Sequence, residues 1–398
     1  MIETKEIEHI PLVRKRIIGK YNGNLPGPTL IFVGGIHGNE PSGVLALEKV
    51  LSKLNAEAIT FNGKMIALSG NLKALEKHVR FLDTDLNRQF TSEKIEALKQ
   101  LTTFSNSEQE EQIQLLNEIE HLLANETGPF YFFDLHTTSS KTIPFLTVND
   151  SLLNRTFTKQ YPLPIVLGIE EYLEGPLLSY INELGYVAFG FEGGQHDCPK
   201  ALLNHEAFIW ITLGYTDCIE KTNLHFINSL QRLSQTVSNK HTFYEIIYRH
   251  FIKDQSGFEM GLGYVNFQHI KKHERLAKDH TQELLSPKSG QIFMPLYQGK
   301  GNDGFFIIRK IPKLFLGLSK LLRNVNLDEL LVWLPGISWG DSQKTTLKIN
   351  RKVARFFAKD FFHLLGYRSK SLDRSHYLMK NREALSRDKE YEKEVWYR

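Results

Sequence analysis

Short apolar runs that end in glycine or polar residues alternate with longer amphipathic stretches through the first two-thirds of the chain. This alternation predicts strands and crossover helices, and therefore an α/β fold. The candidate strands, rich in aromatic and β-branched residues, are residues 29–33, 65–68, 130–135, 165–169 and 186–191. Because these runs are almost continuously apolar, we expect strands that are covered on both faces of their sheet.

The segment 91–128 is polar and has helical periodicity. Ser107 and Glu110 have the spacing of a capping box, in which the two residues satisfy backbone amides at the start of a helix. Apolar residues then recur at helical spacing from Leu115 to Leu122. This pattern predicts two helices at the surface of the α/β region.

The pattern changes near residue 243, where proline and glycine begin to interrupt short apolar runs, as in 286–295. This change predicts a small β domain. A basic aromatic stretch at 351–362 precedes a mostly charged end of the chain. We therefore divide the chain into an α/β domain at 1–242, a β-rich domain at 243–345 and a helical tail at 346–398. The tail helix either binds a membrane surface or a partner, or it packs its phenylalanines on its own protein.

Composition narrows the class of protein. The 398 residues carry a formal charge of only +4, which argues against a general nucleic-acid binder. Cys198 and Cys218 are too few for a disulfide framework, and the first residues lack the apolar core of a signal peptide, so we expect a cytoplasmic protein. No apolar run approaches about 18 residues, so no membrane span is expected.

The first candidate chemistry lies where a predicted strand leads through glycines into a predicted helix. His37 and Glu40 are three residues apart in this corner, and His136 ends a second apolar strand. Two histidines and a glutamate are a known set of catalytic zinc ligands, which leaves the fourth position to water with a pKa of about 7. Each histidine has a plainer interpretation, as a turn residue or as a strand-end residue. Asp134 is placed to accept a hydrogen bond from His136, or is an ordinary buried aspartate.

Four linked motifs resemble the succinylglutamate desuccinylase and aspartoacylase family, the amidohydrolase branch of the zinc carboxypeptidase fold. They are Gly-Gly-Ile-His-Gly-Asn-Glu at 34–40, Arg-Phe-Leu-Asp-Thr-Asp-Leu-Asn-Arg at 80–88, Asp-Leu-His-Thr-Thr-Ser at 134–139 and Phe-Glu-Gly-Gly-Gln at 191–195. The resemblance implies a mixed sheet with flanking helices and a C-terminal β domain over the cleft. It also implies one zinc ion per chain, held by His37, Glu40 and His136.

The resemblance assigns the substrate carboxylate to Asn87 and Arg88, carbonyl polarisation to Arg80, and the proton transfers to Glu192. The residue types agree, because arginine has a planar fork that matches a carboxylate. Glu192 closes an apolar strand, where burial would raise its pKa and suit it to proton transfer. Structural salt bridges of the arginines with Asp83 or Asp85, and an ordinary ion pair of Glu192, remain as alternatives.

Two departures from the family pattern leave the substrate open. Residues 179–184 contain no arginine at the place where aspartoacylase-like members hold an acidic acyl group, and Tyr297 matches a family tyrosine only loosely. We therefore predict hydrolysis of a small N-acyl amino acid or similar carboxylate-bearing amide. A metallocarboxypeptidase acting on peptides or cell-wall fragments, and a metal-bearing binding protein without turnover, are the alternatives. The acyl group, the amine, the physiological metal and the oligomeric state, including a homo-oligomer, stay open.

Overall fold

The structure is a computed structural model that describes residues 15–57, 59–325, 331–350, 362, 364–371 and 376–397. In the first half its strands are β1 (Ile17–Asn22), β2 (Leu25–Gly34), β3 (Asn62–Ser69), β4 (Phe130–Thr138), β5 (Phe145–Val148), β6 (Ile165–Leu167) and β7 (Val187–Gln195). The later strands are β8 (Phe243–Phe251), β9 (Phe258–Met260), β10 (His269–Ile270), β11 (Arg275–Asp279), β12 (Gln282–Leu285), β13 (Gly290–Phe293), β14 (Asp303–Lys310), β15 (Ile337–Trp339), β16 (Thr346–Asn350), β17 (Tyr367–Ser371) and β18 (His376–Asn381).

The helices are α1 (Ser42–Glu57), α2 (Leu72–Glu76), α3 (Ser92–Lys99), α4 (Ser107–Asn125), α5 (Leu152–Thr158), α6 (Leu177–Glu183), α7 (Pro199–Tyr215), α8 (Leu224–Thr236), α9 (Lys313–Asn324) and α10 (Asp388–Tyr391). Short 3-10 turns lie at Leu86–Arg88 and Ile169–Glu171. All five strands expected from the apolar runs are present, and the mixed α/β architecture with flanking helices is confirmed.

One large mixed sheet organises the fold, with strand order β1-β3-β2-β4-β7-β5-β6-β8-β14-β13-β10 in the described part of the chain. Its centre is parallel, because β2 pairs in parallel with both β3 and β4, and β4 pairs in parallel with β7. The carboxyl ends of β2, β4 and β7 therefore meet at one edge. Ligand sites of open α/β sheets form at such an edge.

The central strand β4 is buried along its whole length. Tyr131 and Phe133 face a core built with α1, α5, α7 and α8, whereas Phe130 and Phe132 face a second core with α3, α4 and α6. Both faces of the sheet are thus covered by helices, as the apolar runs predict.

The two helices predicted within 91–128 are α3 and α4. The capping box was misplaced by one residue. The side chain of Asn106, and not that of Ser107, accepts the hydrogen bond from Gln109 N at the start of α4. Asparagine is as good an N-cap as serine, so the motif alone could not decide between them.

The β-rich region is not separated from the main sheet. β8 begins at Phe243, and it pairs in parallel with β6 and antiparallel with β14. A three-stranded sheet (β12-β11-β9) and a four-stranded sheet (β15-β16-β18-β17) complete the described strands. Strands from both sides of residue 242 share the main sheet, and the division of the chain into domains at 242 stays a prediction.

Of the predicted tail, the described residues form β16, β17, β18 and the helix α10. The basic aromatic stretch lies outside the described residues except for Phe362, whose side chain is buried. β18 pairs with both β16 and β17, so the described part of this region contains a small antiparallel sheet beside its helical residues. No helix in the described ranges is long and apolar enough to cross a bilayer.

Candidate metal centre and substrate cleft

The loop between β2 and α1 carries the first two candidate ligands. Gly35 has a φ of +70°, a left-handed conformation that glycine adopts without strain. At Gly38 an added Cβ would lie 2.0 Å from the backbone of Ala74. The glycines on both sides therefore let the loop turn sharply and pack against α2, which places His37 and Glu40 at the edge of the sheet.

His37, Glu40 and His136 come together as the sequence predicts. Each offers one ligand atom, these atoms lie within 4.8 Å of one another, and all three residues are buried. The Nδ1 atom of His37 is 2.9 Å from Glu40 Oε1, and the Nδ1 atom of His136 is 3.0 Å from Glu40 Oε2. Burial opposes the charge of Glu40, yet His37 and His136 hold its pKa well below the ordinary value.

The second nitrogen of each imidazole contacts a carboxylate. His136 Nε2 is 2.7 Å from Asp134 Oδ2, and His37 Nε2 is 3.1 Å from Asp85 Oδ1. Metal-binding histidines characteristically use their second nitrogen in this way, because the carboxylate fixes the ring and its tautomer. The donor set and its supports therefore fit a metal such as zinc. Asp134 was foreseen as such a support, but Asp85 had been considered only as a partner for an arginine.

Glu192 lies beside this group because β4 and β7 pair in register, with His136 opposite Glu192. It is buried, and its Oε2 atom has no hydrogen-bond partner among the described residues. Burial raises the pKa of Glu192 to about 8, against the opposing effect of His136. Within the described part of the chain no ion pair forms at this carboxylate, and its raised pKa suits it to proton transfer.

Arg80 reaches the same region from the loop before the 3-10 turn. Its Nη2 donates to Asp85 Oδ2 at 3.0 Å, and its Nη1 lies 3.7 Å from Glu40 Oε1. The salt bridge with Asp85 that the sequence left open is thus formed. Since Asp85 also contacts His37, the arginine is fixed within the same cluster as the candidate ligands, and its role at a carbonyl remains a prediction.

Asn87 and Arg88 occupy the 3-10 turn and line the cleft. The Oδ1 atom of Asn87 accepts from Leu177 N at 2.9 Å, so its amide nitrogen remains to donate toward a ligand. Arg88 pairs with Asp303, at 3.1 Å, and not with Asp83 or Asp85.

Asp303 was not singled out from the sequence. It also accepts from Arg249 Nε at 2.6 Å, so one carboxylate bridges two arginines inside the cleft. Both Asp303 and Arg249 come from the sheet strands after residue 243. Long-range pairing brings them to Arg88, and no local motif marks them.

The loop that carries Arg80 is hydrogen-bonded to the first turn of α4. Glu108 is completely buried, and its carboxylate accepts from the backbone nitrogens of Leu82, Asp83 and Thr84 at 2.7, 3.0 and 3.2 Å. A carboxylate that accepts several backbone N–H groups fixes their positions strongly. Glu108 lies in the segment predicted to form surface helices, so its burial was not foreseen from the sequence.

The loop between β13 and β14 contacts two of the loops that form the site. Lys300 Nζ donates to Phe81 O at 2.7 Å, and Gln298 accepts from Asn39 Nδ2 at 3.0 Å. Tyr297 does not line the cleft. Its hydroxyl donates to Gly261 O at 2.7 Å, so the loosely matched tyrosine is used within its own β region.

A continuous cavity of about 1020 Å³ lies at this edge of the sheet. The candidate metal ligands and Glu192 lie in the cavity wall together with Asn87 and Arg88. Its wall also includes Arg368 and Lys380 from the four-stranded sheet. The cavity is therefore large for a small N-acyl amino acid, and the C-terminal region closes part of it.

Fold and site together define an α/β protein with a buried His-Glu-His group at the carboxyl edge of its sheet. The family model described as the succinylglutamate desuccinylase/aspartoacylase catalytic domain matches residues 26–197. Over these residues the chain is similar to that catalytic domain. The match contains all four motifs and every predicted site residue.

Individual relatives agree with this placement. The chain is 34% identical over 163 residues to the aspartoacylase of Xenopus tropicalis, covering 39% of this chain and 50% of that protein. It is also 34% identical over 62 residues to the succinylglutamate desuccinylase of Yersinia pseudotuberculosis, covering 16% of this chain and 19% of that protein. The chain thus spans half the length of the first relative and less of the second.

Solved structures support the fold. The succinylglutamate desuccinylase of Vibrio cholerae superposes with a TM-score of 0.54 at 17% identity, covering 72% of this chain and 82% of that one. The fold of the family is therefore confirmed for most of the chain, and this likeness carries no information on the substrate.

Proposed function

We propose that the protein is a zinc-dependent hydrolase that cleaves the amide bond of a carboxylate-bearing N-acyl compound. The observation that carries the proposal is the shared cavity. One wall holds the His-Glu-His group, a buried carboxylate without a partner among the described residues, and an asparagine and an arginine able to bind an acid group. The names of the family and of its relatives support a deacylase.

His37, Glu40 and His136 would hold the zinc ion, and Asp85 and Asp134 would orient the two imidazoles. When bound, zinc supplies Lewis-acid polarisation of a carbonyl and makes a water molecule more acidic.

The other site residues bind the substrate, polarise its carbonyl group and transfer protons. Asn87 and Arg88 bind the substrate carboxylate and so orient the amide, and Arg80 donates to the carbonyl oxygen as negative charge develops on it. Glu192 accepts a proton from the water that adds to the carbonyl carbon. It returns that proton to the nitrogen as the C–N bond breaks, and the new carboxylic acid gives its proton to the amine, which leaves a carboxylate and an ammonium group.

A second candidate function is a metallocarboxypeptidase that acts on peptides or cell-wall fragments. The size of the cavity, about 1020 Å³, favours it, because a small N-acyl amino acid would occupy only part of that space. All site roles stay the same in this alternative. The two candidates differ in the length of the substrate that is cleaved fastest.

The test combines metal content with amine release from a panel of N-acyl amino acids and short peptides, for the wild type and Glu192→Gln. We expect about one zinc per chain in both proteins, and a loss of turnover of about 100-fold to 10,000-fold in the variant. A protein that cannot be loaded with a divalent metal contradicts the proposal. Zinc binding without hydrolysis of any panel member supports a binding protein instead, and faster cleavage of peptides supports the carboxypeptidase.

A further inference from the structure

The helix α9 leaves a row of apolar side chains exposed to solvent. Leu314, Leu318, Leu321 and the following Val325 are spaced at i, i+4, i+7 and i+11, which places them on one stripe. All four are exposed, with Leu314 at 81% and Leu321 at 62% of their full accessible surface. We call these four residues the apolar stripe. Helices of globular proteins normally turn such a stripe toward the core.

The face of α9 that contacts the rest of the protein holds Leu316 and Leu322, which are partly buried against neighbouring cores, together with two buried polar residues. Ser319 is buried, donates to Leu364 O at 2.8 Å and accepts from Arg155 Nη1 at 3.2 Å. Arg323 is also buried, and it pairs with Asp150 at 2.9 Å and with Glu383 at 3.0 Å. Rotating the helix to hide the apolar stripe would leave these buried charges without partners, which is strongly unfavourable. The stripe is therefore held toward the outside.

The charges beside the apolar stripe have one sign. Lys313 and Lys320 are exposed and seven residues apart, so they share one side of the helix, and the twelve residues of α9 include no aspartate or glutamate. An apolar face flanked by lysines is complementary to an anionic phospholipid surface, where acyl chains accept the leucines and headgroups attract the lysines.

A second copy of the chain fits this surface less well. Two facing α9 helices would bring the lysines of both copies to the same interface without an acidic residue in either helix. Four side chains in a narrow stripe also fall short of the roughly 1,200 Å² that a stable interface buries.

We propose that α9 docks the protein on anionic phospholipid bilayers, with the apolar stripe in the headgroup and acyl boundary. Docking is peripheral, because a twelve-residue helix is too short to span a bilayer. This inference is independent of the proposed function, since the apolar stripe belongs to neither the metal centre nor the cleft.

The test is co-sedimentation of the full chain with vesicles. The wild type is expected to bind vesicles of phosphatidylglycerol and phosphatidylcholine better than vesicles of phosphatidylcholine alone. The double variant Leu314→Ser, Leu321→Ser should bind the anionic vesicles at least about tenfold more weakly, because two leucines no longer transfer from water. The matched control is Leu224→Ser, Leu262→Ser, which changes two leucines that are also largely exposed, at 72% and 92%, but lie outside α9. We expect this control to bind like the wild type.

A second pair of substitutions tests the charge. Lys313→Glu, Lys320→Glu should weaken binding about tenfold or more, and added salt should weaken binding by the wild type. The proposal is wrong if the wild type does not bind anionic vesicles, or if the stripe variant binds them equally well. Loss of a concentration-dependent dimer in the stripe variant, without vesicle binding by the wild type, would assign the apolar stripe to a second copy. Amine release in solution should be the same for the wild type and the stripe variant. A failure of the docking proposal can therefore be told apart from a failure of the proposed function.

Discussion

Asp134 and Asp85 hold the two candidate ligand histidines from behind, and both contacts run to the Nε2 atom of the ring. The Nδ1 atoms of both rings thereby contact Glu40. A buried carboxylate behind an imidazole raises its basicity and fixes its orientation, so these aspartates should affect metal affinity without touching the metal.

Substituting Asp134→Asn tests this arrangement. The side chain keeps its size but loses its charge, and we expect zinc affinity to fall about tenfold to 100-fold. Competition with a chromophoric chelator measures the change. The control is Asp83→Asn, whose carboxylate accepts from Ser107 N and contacts neither histidine. Unchanged affinity in Asp134→Asn would show that the imidazoles are oriented by the backbone alone.

The next prediction concerns Arg88, whose guanidinium pairs with Asp303 at the cleft wall. Arg88→Lys keeps the charge but removes the fork that matches a carboxylate. We expect KM for a carboxylate-bearing amide to rise about tenfold to 100-fold, with a smaller change in kcat.

The informative comparison uses a matched substrate in which the carboxylate is replaced by a carboxamide. The wild type should prefer the acid over the carboxamide, and this preference should shrink in Arg88→Lys. If the variant loses activity on both substrates to the same extent, Arg88 does not bind the carboxylate, and its pair with Asp303 has a structural role.

At the scale of elements, α4 does more than cover the sheet. Its first turn places Glu108 under the loop that precedes the 3-10 turn, where it accepts from three backbone nitrogens and from Asn71 Nδ2 at 3.1 Å. This loop carries Arg80 and leads into Asn87 and Arg88. The helix therefore positions the residues that we assign to the substrate.

The substitution Glu108→Gln tests whether the position of this loop depends on the carboxylate of Glu108. The amide group of glutamine would turn an N–H donor toward backbone donors, so we expect a loss of about 1–3 kcal/mol in the free energy of unfolding. KM should rise as well, because the loop is no longer fixed. Denaturant unfolding and steady-state kinetics measure the two effects. Glu110→Gln on the exposed side of α4 is the control, and equal behaviour of the two variants would contradict the argument.

Elements and candidate ligands that depend on local sequence were predictable. The parallel strands are continuous apolar runs, and His37, Glu40 and His136 each follow such a run, so convergence at one edge of the sheet follows from the topology. Site residues that are brought together by pairing between strands far apart in the sequence were not predictable. Asp303 reaches Arg88 only through the antiparallel pairing of β14 with β8, and no spacing within the sequence encodes that contact.

Burial caused the other misses. Glu108 occurs in a charged stretch that indicates a solvated helix face, yet it is completely buried because the loop at 82–84 supplies N–H donors. His205 is buried as well, and its Nε2 is 3.1 Å from His136 O. Burial lowers the pKa of His205 to about 4, so it is neutral at physiological pH and supports the end of β4. A single histidine in an apolar helix gives no sign of this contact.

On the scale of the whole molecule, a buried ionic cluster joins the C-terminal region to the α/β region. Asp150 lies at its centre and pairs with Arg155, with Arg323 of α9 at 2.9 Å and with Arg382 at 3.0 Å. Glu383 adds a second pair with Arg323 at 3.0 Å. The same C-terminal region contributes to the cleft wall, so the cluster connects the stability of the molecule to the shape of the cavity.

Asp150 makes this connection dependent on pH. Burial opposes its charge, but the three arginines hold its pKa well below the ordinary value. A depressed pKa in the folded state adds stability that is complete above the unfolded pKa of about 3.9 and is lost as the pH falls toward the folded pKa.

We therefore expect Asp150→Asn to lower the free energy of unfolding by about 3–5 kcal/mol at neutral pH, since it leaves buried arginines without their counter-charge. The difference from the wild type should narrow as the pH falls below about 4, because the wild type then loses the same contribution. Urea unfolding across that range measures both effects. Asp217→Asn, which removes a half-exposed pair with Lys221, should change stability little at any pH. A constant difference between Asp150→Asn and the wild type throughout the acid range would mean that the carboxylate acts through its hydrogen bonds and not through its charge.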